Sequence, residues 1–269
     1  MATPIGNARD VTLRALDALA GADLIAAEDT RVTAKLLAMF AISRPLAAYN
    51  DHNAPRERPR LMAKLKDGMR IALVSDAGTP LISDPGFKLV REALAEGVAV
   101  HVLPGASAPL AALTASGLPT DRFLFAGFLP AKGGERRATI AALKPVRATL
   151  VFFESPQRLA EALADLADGL GPRPAAVARE LTKLHEEIRR GDLAALVQHY
   201  AAAGPPKGEV TVVVGSATES ATDFGRVEQA LERALQWMPV RAAVDLVSDM
   251  LDVPRREVYA RALLKKKDE

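Results

Sequence analysis

Apolar residues in the first half of the chain fall into short unbroken runs. Leu24-Ile25-Ala26-Ala27 and Ile71-Ala72-Leu73-Val74 carry no polar residue and end abruptly in small or charged ones. Such runs suit strands buried on both faces of a parallel sheet. A third run, Val98 to Leu103, is read the same way. Between these runs the apolar spacing becomes helical. Leu13, Leu16 and Leu19 form one face, with Asp10 or Thr12 as cap and Gly21 as stop. After Val74, Ser75-Asp76-Ala77-Gly78-Thr79-Pro80 is a turn, and Asp84-Pro85 reads as an N-cap with proline at the first helical position. The helix then runs from Phe87 to about Glu96 and stops at Gly97. Pro104 to Ala108 is another small-residue loop, leading into a helix that ends at Gly117. Strand, loop and helix in alternation predict a parallel α/β sheet with right-handed crossovers, its loops gathered along one edge.

The pattern changes at Gly117-Leu118-Pro119-Thr120-Asp121. The expected division is an N-terminal α/β domain over 1–116, a second α/β domain over 117–217 and a helical appendage over 218–269. Strands are expected at Phe123 to Phe128, Thr149 to Phe153, Ala175 to Arg179, Glu186 to Gly191 and Val210 to Val214. They are closely spaced and mixed with helices, so this sheet need not be purely parallel. Gly215 to Asp223 is a polar linker. Beyond it the helical pattern breaks at Pro239 and at Val253-Pro254, leaving two short amphipathic helices of helix-turn-helix size before a lysine-rich tail.

Composition narrows the class. The chain has 269 residues, 49% of them apolar, which places it among globular proteins with a sizeable core. It has no cysteine, which excludes disulfides, thiolate zinc sites and a cysteine nucleophile. No apolar stretch reaches the ~18 residues of a membrane span, and a cytoplasmic location is expected. Net charge is +2, compatible with a polyanion partner without requiring one. The most basic stretch holds Lys132, Arg136, Arg137, Lys144 and Arg147 against Glu135 alone. It is either a solvated helix face or a set of phosphate contacts.

Standard nucleotide motifs are missing: there is no P-loop, no Gly-x-Gly-x-x-Gly after a strand and no nucleophile elbow. No histidine pair has metal-ligand spacing, so no metal is expected. What remains is a set of small-residue loops, Thr3–Asn7, Ser75–Pro80 and Pro104–Ser107, able to wrap a compact ligand in a cleft. Glu28-Asp29-Thr30-Arg31, at the end of a predicted strand, is either a helix start or a site.

Several motifs in order carry a resemblance. They are Thr3-Pro4-Ile5-Gly6-Asn7, Ala27-Glu28-Asp29-Thr30-Arg31, Asp51-His52-Asn53, Val74 to Pro80, Ser83-Asp84-Pro85-Gly86, Pro104-Gly105, Gly127-Phe128-Leu129-Pro130, Phe153-Glu154-Ser155 and Ala178 to Lys183. Together they resemble the small-subunit ribosomal RNA (cytidine-2′-O)-methyltransferases of the tetrapyrrole methylase superfamily, over nearly the whole chain. The resemblance implies two α/β domains holding S-adenosylmethionine in a cleft, usually as a homodimer, with a cytidine ribose 2′-hydroxyl as acceptor. It implies cofactor contacts from Gly78, Thr79 and Pro80, flanked by Asp76, Ala77 and Ile82, with Ala106 and Ser107 on one side. Phe153, Glu154 and Leu181 would contribute from the second domain and Pro4 from the floor. Candidate proton acceptors are Glu28, Asp29 and His52, with Glu154 a further possibility. Candidate RNA contacts are Arg31, Arg136, Arg137 and Lys183. Family members carry a strand ahead of the Thr-Pro-Ile-Gly-Asn loop, where this sequence has only Met1 and Ala2. Unpaired ladder groups are expected there, and with them low stability or compensation by a partner or cofactor. Two other readings remain open: a methylase of a small tetrapyrrole on the same fold, and an RNA-binding module without catalysis.

Overall fold

The four residues of β1 (Leu24–Ala27) are all buried, which explains a strand without a polar position. Its two neighbours are both parallel to it, β2 (Leu46–Ala48) and β3 (Ile71–Val74), in the order β2-β1-β3. The structure is a computed structural model and describes residues 1–216, 224–251 and 253–265. The chain divides into two compact units, Met1–Ser216 and Ala217–Glu269.

In the first unit α1 (Leu13–Gly21) is capped by Thr12, whose hydroxyl accepts from Ala15 N at 3.1 Å. The helix turns Ala15 and Leu19 inward, while Leu13, expected on that inner face, is 81% exposed. α2 (Thr30–Met39), α3 (Ala54–Lys66) and α4 (Phe87–Ala95) follow β1, β2 and β3 as the crossover helices of a parallel sheet. β2 was not expected; it is three residues long and lies at the edge of this sheet.

Two expectations are corrected here. The cap of α4 is Gly86, at φ +131°, and not Asp84, whose carboxylate turns to a cavity described below. That backbone angle strains any other residue, and a Cβ on Gly86 would also stand 2.8 Å from Leu73 Cδ2. The Val98 to Leu103 run joins no ladder among the described residues, and Val102 is 75% exposed. Ala2 N donates to Leu103 O at 3.1 Å and the Arg14 guanidinium to Val102 O at 3.4 Å, while the Met1 ammonium donates to Leu73 O at 2.9 Å. Residues 1–3 thus run between β3 and this segment. For the same reason β3 lies at an edge, and its residues 71–73 are half-buried rather than covered on both faces. Thr3 and Gly78 then exchange backbone hydrogen bonds at 2.8 and 3.1 Å, pinning the first loop to the turn after β3.

After α5 (Ala108–Ser116) comes a mixed sheet of β4 (Phe123–Phe128), β5 (Thr149–Glu154), β6 (Pro174–Arg179), β7 (Glu187–Asp192) and β8 (Val210–Val214). Its order is β4-β5-β8-β6-β7; β4 and β5 are parallel and the other pairs antiparallel. One face carries α6 (Gly133–Leu143), α7 (Leu159–Leu170) and α8 (Leu193–Ala203) over Leu150, Phe152, Val177, Val212 and Val214. The other face places Val151, Ala178 and Val213 against Ala112 and Leu113 of α5 and against Ile5. Both sheets lie within the first unit, so the expected division at 117 falls between sheets and not between compact units.

The second unit has α9 (Phe224–Leu235), α10 (Val240–Leu251) and α11 (Arg255–Lys265) around its own core of Val227, Leu231, Ala243, Val244, Val247 and Val258. Most of the predicted linker, 217–223, and the tail residues 266–269 lie outside the described residues.

Candidate active site

Glu28 and Asp29 sit side by side at the carboxyl end of β1 and have separate surroundings. Asp29 is the N-cap of α2: its carboxylate accepts from Arg31 N at 2.8 Å and pairs with the Arg31 guanidinium at 2.6 Å. Those hydrogen bonds from Arg31 hold its pKa down at about 2. Glu28 faces a cavity of about 410 Å³, and among the described residues its carboxylate accepts a long hydrogen bond, 3.4 Å, from Asp76 N. Burial raises its pKa, opposed by the hydrogen bond from Asp76 N, and the neighbouring charges of Asp84, Asp76 and Asp51 add to the rise. Asp29 thus makes a helix start, while Glu28 faces the cavity.

The rest of the wall comes from three loops and the mixed sheet. Asp76, Ala77, Gly78 and Thr79 follow β3; Ile82, Ser83 and Asp84 precede α4; Ser107 and Ala108 open α5. Ile5 reaches in from the first loop. Phe128, Phe153, Glu154, Leu181 and Thr211 close the opposite side. Gly78 has φ +77°, and a Cβ there would stand 3.3 Å from Ile5 Cγ2. Thr79 Oγ1 donates to Ala106 O at 3.2 Å and so ties two of the loops together. Leu81 and Ser83 also hold left-handed backbone, at φ +73° and +66°. Such strain persists where the surroundings over-determine a loop. Across the cavity, Glu180 and Thr182 do the same at +51° and +63°, and a Cβ on Gly6 would lie 2.8 Å from Leu181 O. Asn7 N donates to Thr182 Oγ1 at 3.0 Å across that contact.

The cavity is acidic. Glu28, Asp76 and Asp84 line it, and none is ion-paired with a described residue. Burial raises the pKa of Asp84, opposed by its hydrogen bond with Ser75. Glu154 is buried, accepts from Ser155 N at 2.8 Å and is paired with Arg158.

Among the residues expected at a cofactor, Pro4, Pro80 and Ala106 do not line this cavity. Pro4 lines a neighbouring cavity of about 200 Å³ with Thr3, Val32 and Lys35. Pro80 is buried behind the wall, and Ala106 acts through its carbonyl. His52 is exposed in the turn before α3, and neither it nor Asp29 is on the wall. Arg31 is exposed, and Lys183 Nζ is held by Glu180 and Glu209 at 2.7 and 2.8 Å. Arg136 is the plain correction. It was expected to meet phosphate, yet its side chain is 0% exposed and bound to Glu161 and, at 2.6 Å, Asp165. The two carboxylates come from α7, which covers this face of α6, so the guanidinium is neutralised inside the fold. Arg137 remains 65% exposed beside the same Asp165. Ile5, Asp84, Phe128 and Thr211 were missed. Asp84 was concealed by its cap-like Asp-Pro pair, and for Phe128 the available signal was a glycine inside a strand.

A model of the family described as Tetrapyrrole (Corrin/Porphyrin) Methylases matches residues 2–197. The chain belongs to the tetrapyrrole methylase family. Within that family it is 52% identical over 264 residues to "Ribosomal RNA small subunit methyltransferase I" of Mesorhizobium japonicum, covering 98% of this chain and 90% of that protein. The protein of the same name in Pseudomonas aeruginosa is 44% identical over 268 residues, covering 98% and 95%. That of Thermotoga maritima is 45% identical over 212 residues, 79% of this chain and 95% of its own. A second model, the RsmI C-terminal HTH domain, matches residues 221–266. Among solved structures, uroporphyrin-III-C-methyltransferase from Thermus thermophilus shares the fold with TM-score 0.58 and 23% identity, over 83% of this chain and 94% of that one. Diphthine synthase does so with TM-score 0.61 and 18% identity, over 79% and 87%.

As a tetrapyrrole methylase the protein is a methyltransferase that uses S-adenosylmethionine. The residues fit that group. The cavity is of small-ligand size, Ile5, Ile82, Phe153 and Leu181 offer apolar contact, backbone lies open at Asp76 to Thr79, and the acids favour a cation.

Proposed function

We propose that the protein methylates the ribose 2′-hydroxyl of a cytidine in small-subunit ribosomal RNA. The relatives' names support the RNA acceptor. The observation that carries the chemistry is Glu28: a carboxylate on the cavity wall, without an ion-pair partner among the described residues, whose pKa is raised by burial. When bound, S-adenosylmethionine supplies a methyl carbon on a positively charged sulfur, with a neutral thioether as leaving group. Glu28 accepts the hydroxyl proton as the ribose oxygen bonds to that carbon, which makes a weak nucleophile competent. The cavity walls align the reacting centres and exclude water, and this alignment supplies much of the rate. Asp29 serves Glu28 by fixing the start of α2, and His52 has no part in the proton transfer.

Arg31 and Arg137, both exposed, and Lys183 at the edge of the strained loop are the cations we assign to RNA phosphate. The acidic cavity disfavours a tetrapyrrole acceptor bearing carboxylates, because Glu28, Asp76 and Asp84 would face it. The reading also includes action in the cytoplasm as a homodimer, for which light scattering is the check. The decisive experiment is incubation with labelled S-adenosylmethionine and small-subunit ribosomal RNA, followed by nucleoside analysis. Label in 2′-O-methylcytidine supports the reading; label on a base, or none, overturns it.

A further inference from the structure

Phe128 reaches the cavity only because β4 contains a bulge. Phe125 lies opposite Val151 and Gly127 opposite Phe152, so Ala126 is an extra residue in the ladder. Without it, Phe128 would lie opposite Glu154 and share the parity of Ala126, which packs on the α6–α8 face. With it, Phe128 lies opposite Phe153 and points to the same side as Phe125. The rings confirm the switch: Phe153 meets Phe125 edge-on at 4.9 Å and Phe128 at 5.4 Å. The extra residue is accommodated beside a glycine at φ +68°, a backbone state that suits Gly127. Bulges of this kind re-aim a side chain beside a site.

The re-aimed ring is 56% exposed at the cavity wall. It is also pre-ordered, since Phe153 supports it and Phe125 supports Phe153. The opposing wall is acidic through Glu28, Asp76 and Asp84 and repels phosphate. A nucleotide that brings its ribose to Glu28 must therefore keep its phosphates outside and rest its base on an uncharged surface. Of the two aromatic rings on the wall, Phe128 is the exposed one and Phe153 is half-buried beneath it.

We infer that Phe128 is the stacking platform for the nucleobase of the acceptor nucleotide, a positioning residue for the RNA and not a contact of the methyl donor. The inference rests on the RNA reading above. Base stacking on an aromatic side chain is strong enough for its loss to weaken binding about ten-fold.

The test measures wild type, Phe128→Leu and Phe128→Trp against two ligands: S-adenosylmethionine by calorimetry, and a small-subunit ribosomal RNA transcript by filter binding. Phe128→Leu is expected to bind S-adenosylmethionine within two-fold of wild type and RNA about ten-fold more weakly, with Phe128→Trp restoring RNA affinity. In a Trp237→Phe background, which removes the one native tryptophan, the indole of Phe128→Trp is quenched by RNA and not by S-adenosylmethionine. This readout stands even where the leucine variant fails to fold. Unchanged RNA affinity in Phe128→Leu, or an indole that RNA does not quench, overturns the inference alone. A parallel loss of S-adenosylmethionine affinity overturns it by assigning the ring to the donor's adenine. A wild type that binds S-adenosylmethionine but no RNA overturns the RNA reading and this inference together.

Discussion

Two adjacent carboxylates with opposite shifts are the residue-scale core of the account. Environment separates them, and such separation assigns acid–base roles. For Asp29 the folded pKa is about 2, below the unfolded carboxylate value, so its contribution to stability is present above that value and lost as pH falls through about 2. For Glu28 the sign reverses. A raised folded pKa means the folded state holds the proton more tightly, so ionisation destabilises it as pH rises through the raised value. Glu28→Gln is therefore expected to unfold at a higher temperature than wild type near neutral pH. It should also lose 10²–10⁴-fold in methyl transfer, the order of magnitude a positioned base supplies. The acidic limb of the wild-type pH–rate profile should lie above the ordinary glutamate value of about 4.3 and vanish in the variant. Adjacent acids after a strand are visible in sequence, but which of them caps a helix depends on the backbone angle at Asp29, φ −118°.

At the scale of elements, Arg136 shows why charge runs mislead. Lys132 to Arg147 reads as one basic surface, yet α6 lies against α7 and turns one arginine of the pair inward. Arg136→Ala is expected to destabilise the protein by roughly 3 kcal/mol, the low end for a broken buried pair because Glu161 is 67% exposed. Urea unfolding measures it. Arg137→Ala should leave stability unchanged and lower the log–log salt slope of RNA binding by about 0.7, one single-strand phosphate, whereas Arg136→Met should leave that slope alone. β1, β3, β5 and β8 were legible because unbroken apolar runs have few other uses, whereas the three-residue β2 was not, and Gly97 and Gly117 marked the ends of α4 and α5. The edge status of β3, the unladdered Val98 to Leu103 run and the bulge at Ala126 were not legible. Each depends on which strand lies alongside, which local periodicity does not encode. Motif order brought many wall residues to notice, but Phe128 and Asp84 depend on a bulge and on a cap that moved to Gly86.

At the scale of the whole molecule the chain divides into two compact units, Met1–Ser216 and Ala217–Glu269, and each has a hydrophobic core formed by its own described residues. The relative from Thermotoga maritima matches over 212 residues that make up 95% of its length, close to the size of the first unit. The fragment Met1–Ser216 is therefore expected to fold cooperatively and to bind S-adenosylmethionine as the full chain does, as circular dichroism and calorimetry would show. The central claim is that the cavity beside Glu28 holds the methyl donor, and calorimetric titration with S-adenosylmethionine of wild type and Gly78→Arg tests it most directly. Gly78 lies on the wall at φ +77°, where a side chain is strained and would enter the cavity region beside Ile5. Wild type is expected to bind saturably, and the variant to lose about 100-fold or more in affinity while retaining its circular dichroism spectrum. A folded variant that binds as wild type does would place the donor elsewhere and contradict the account.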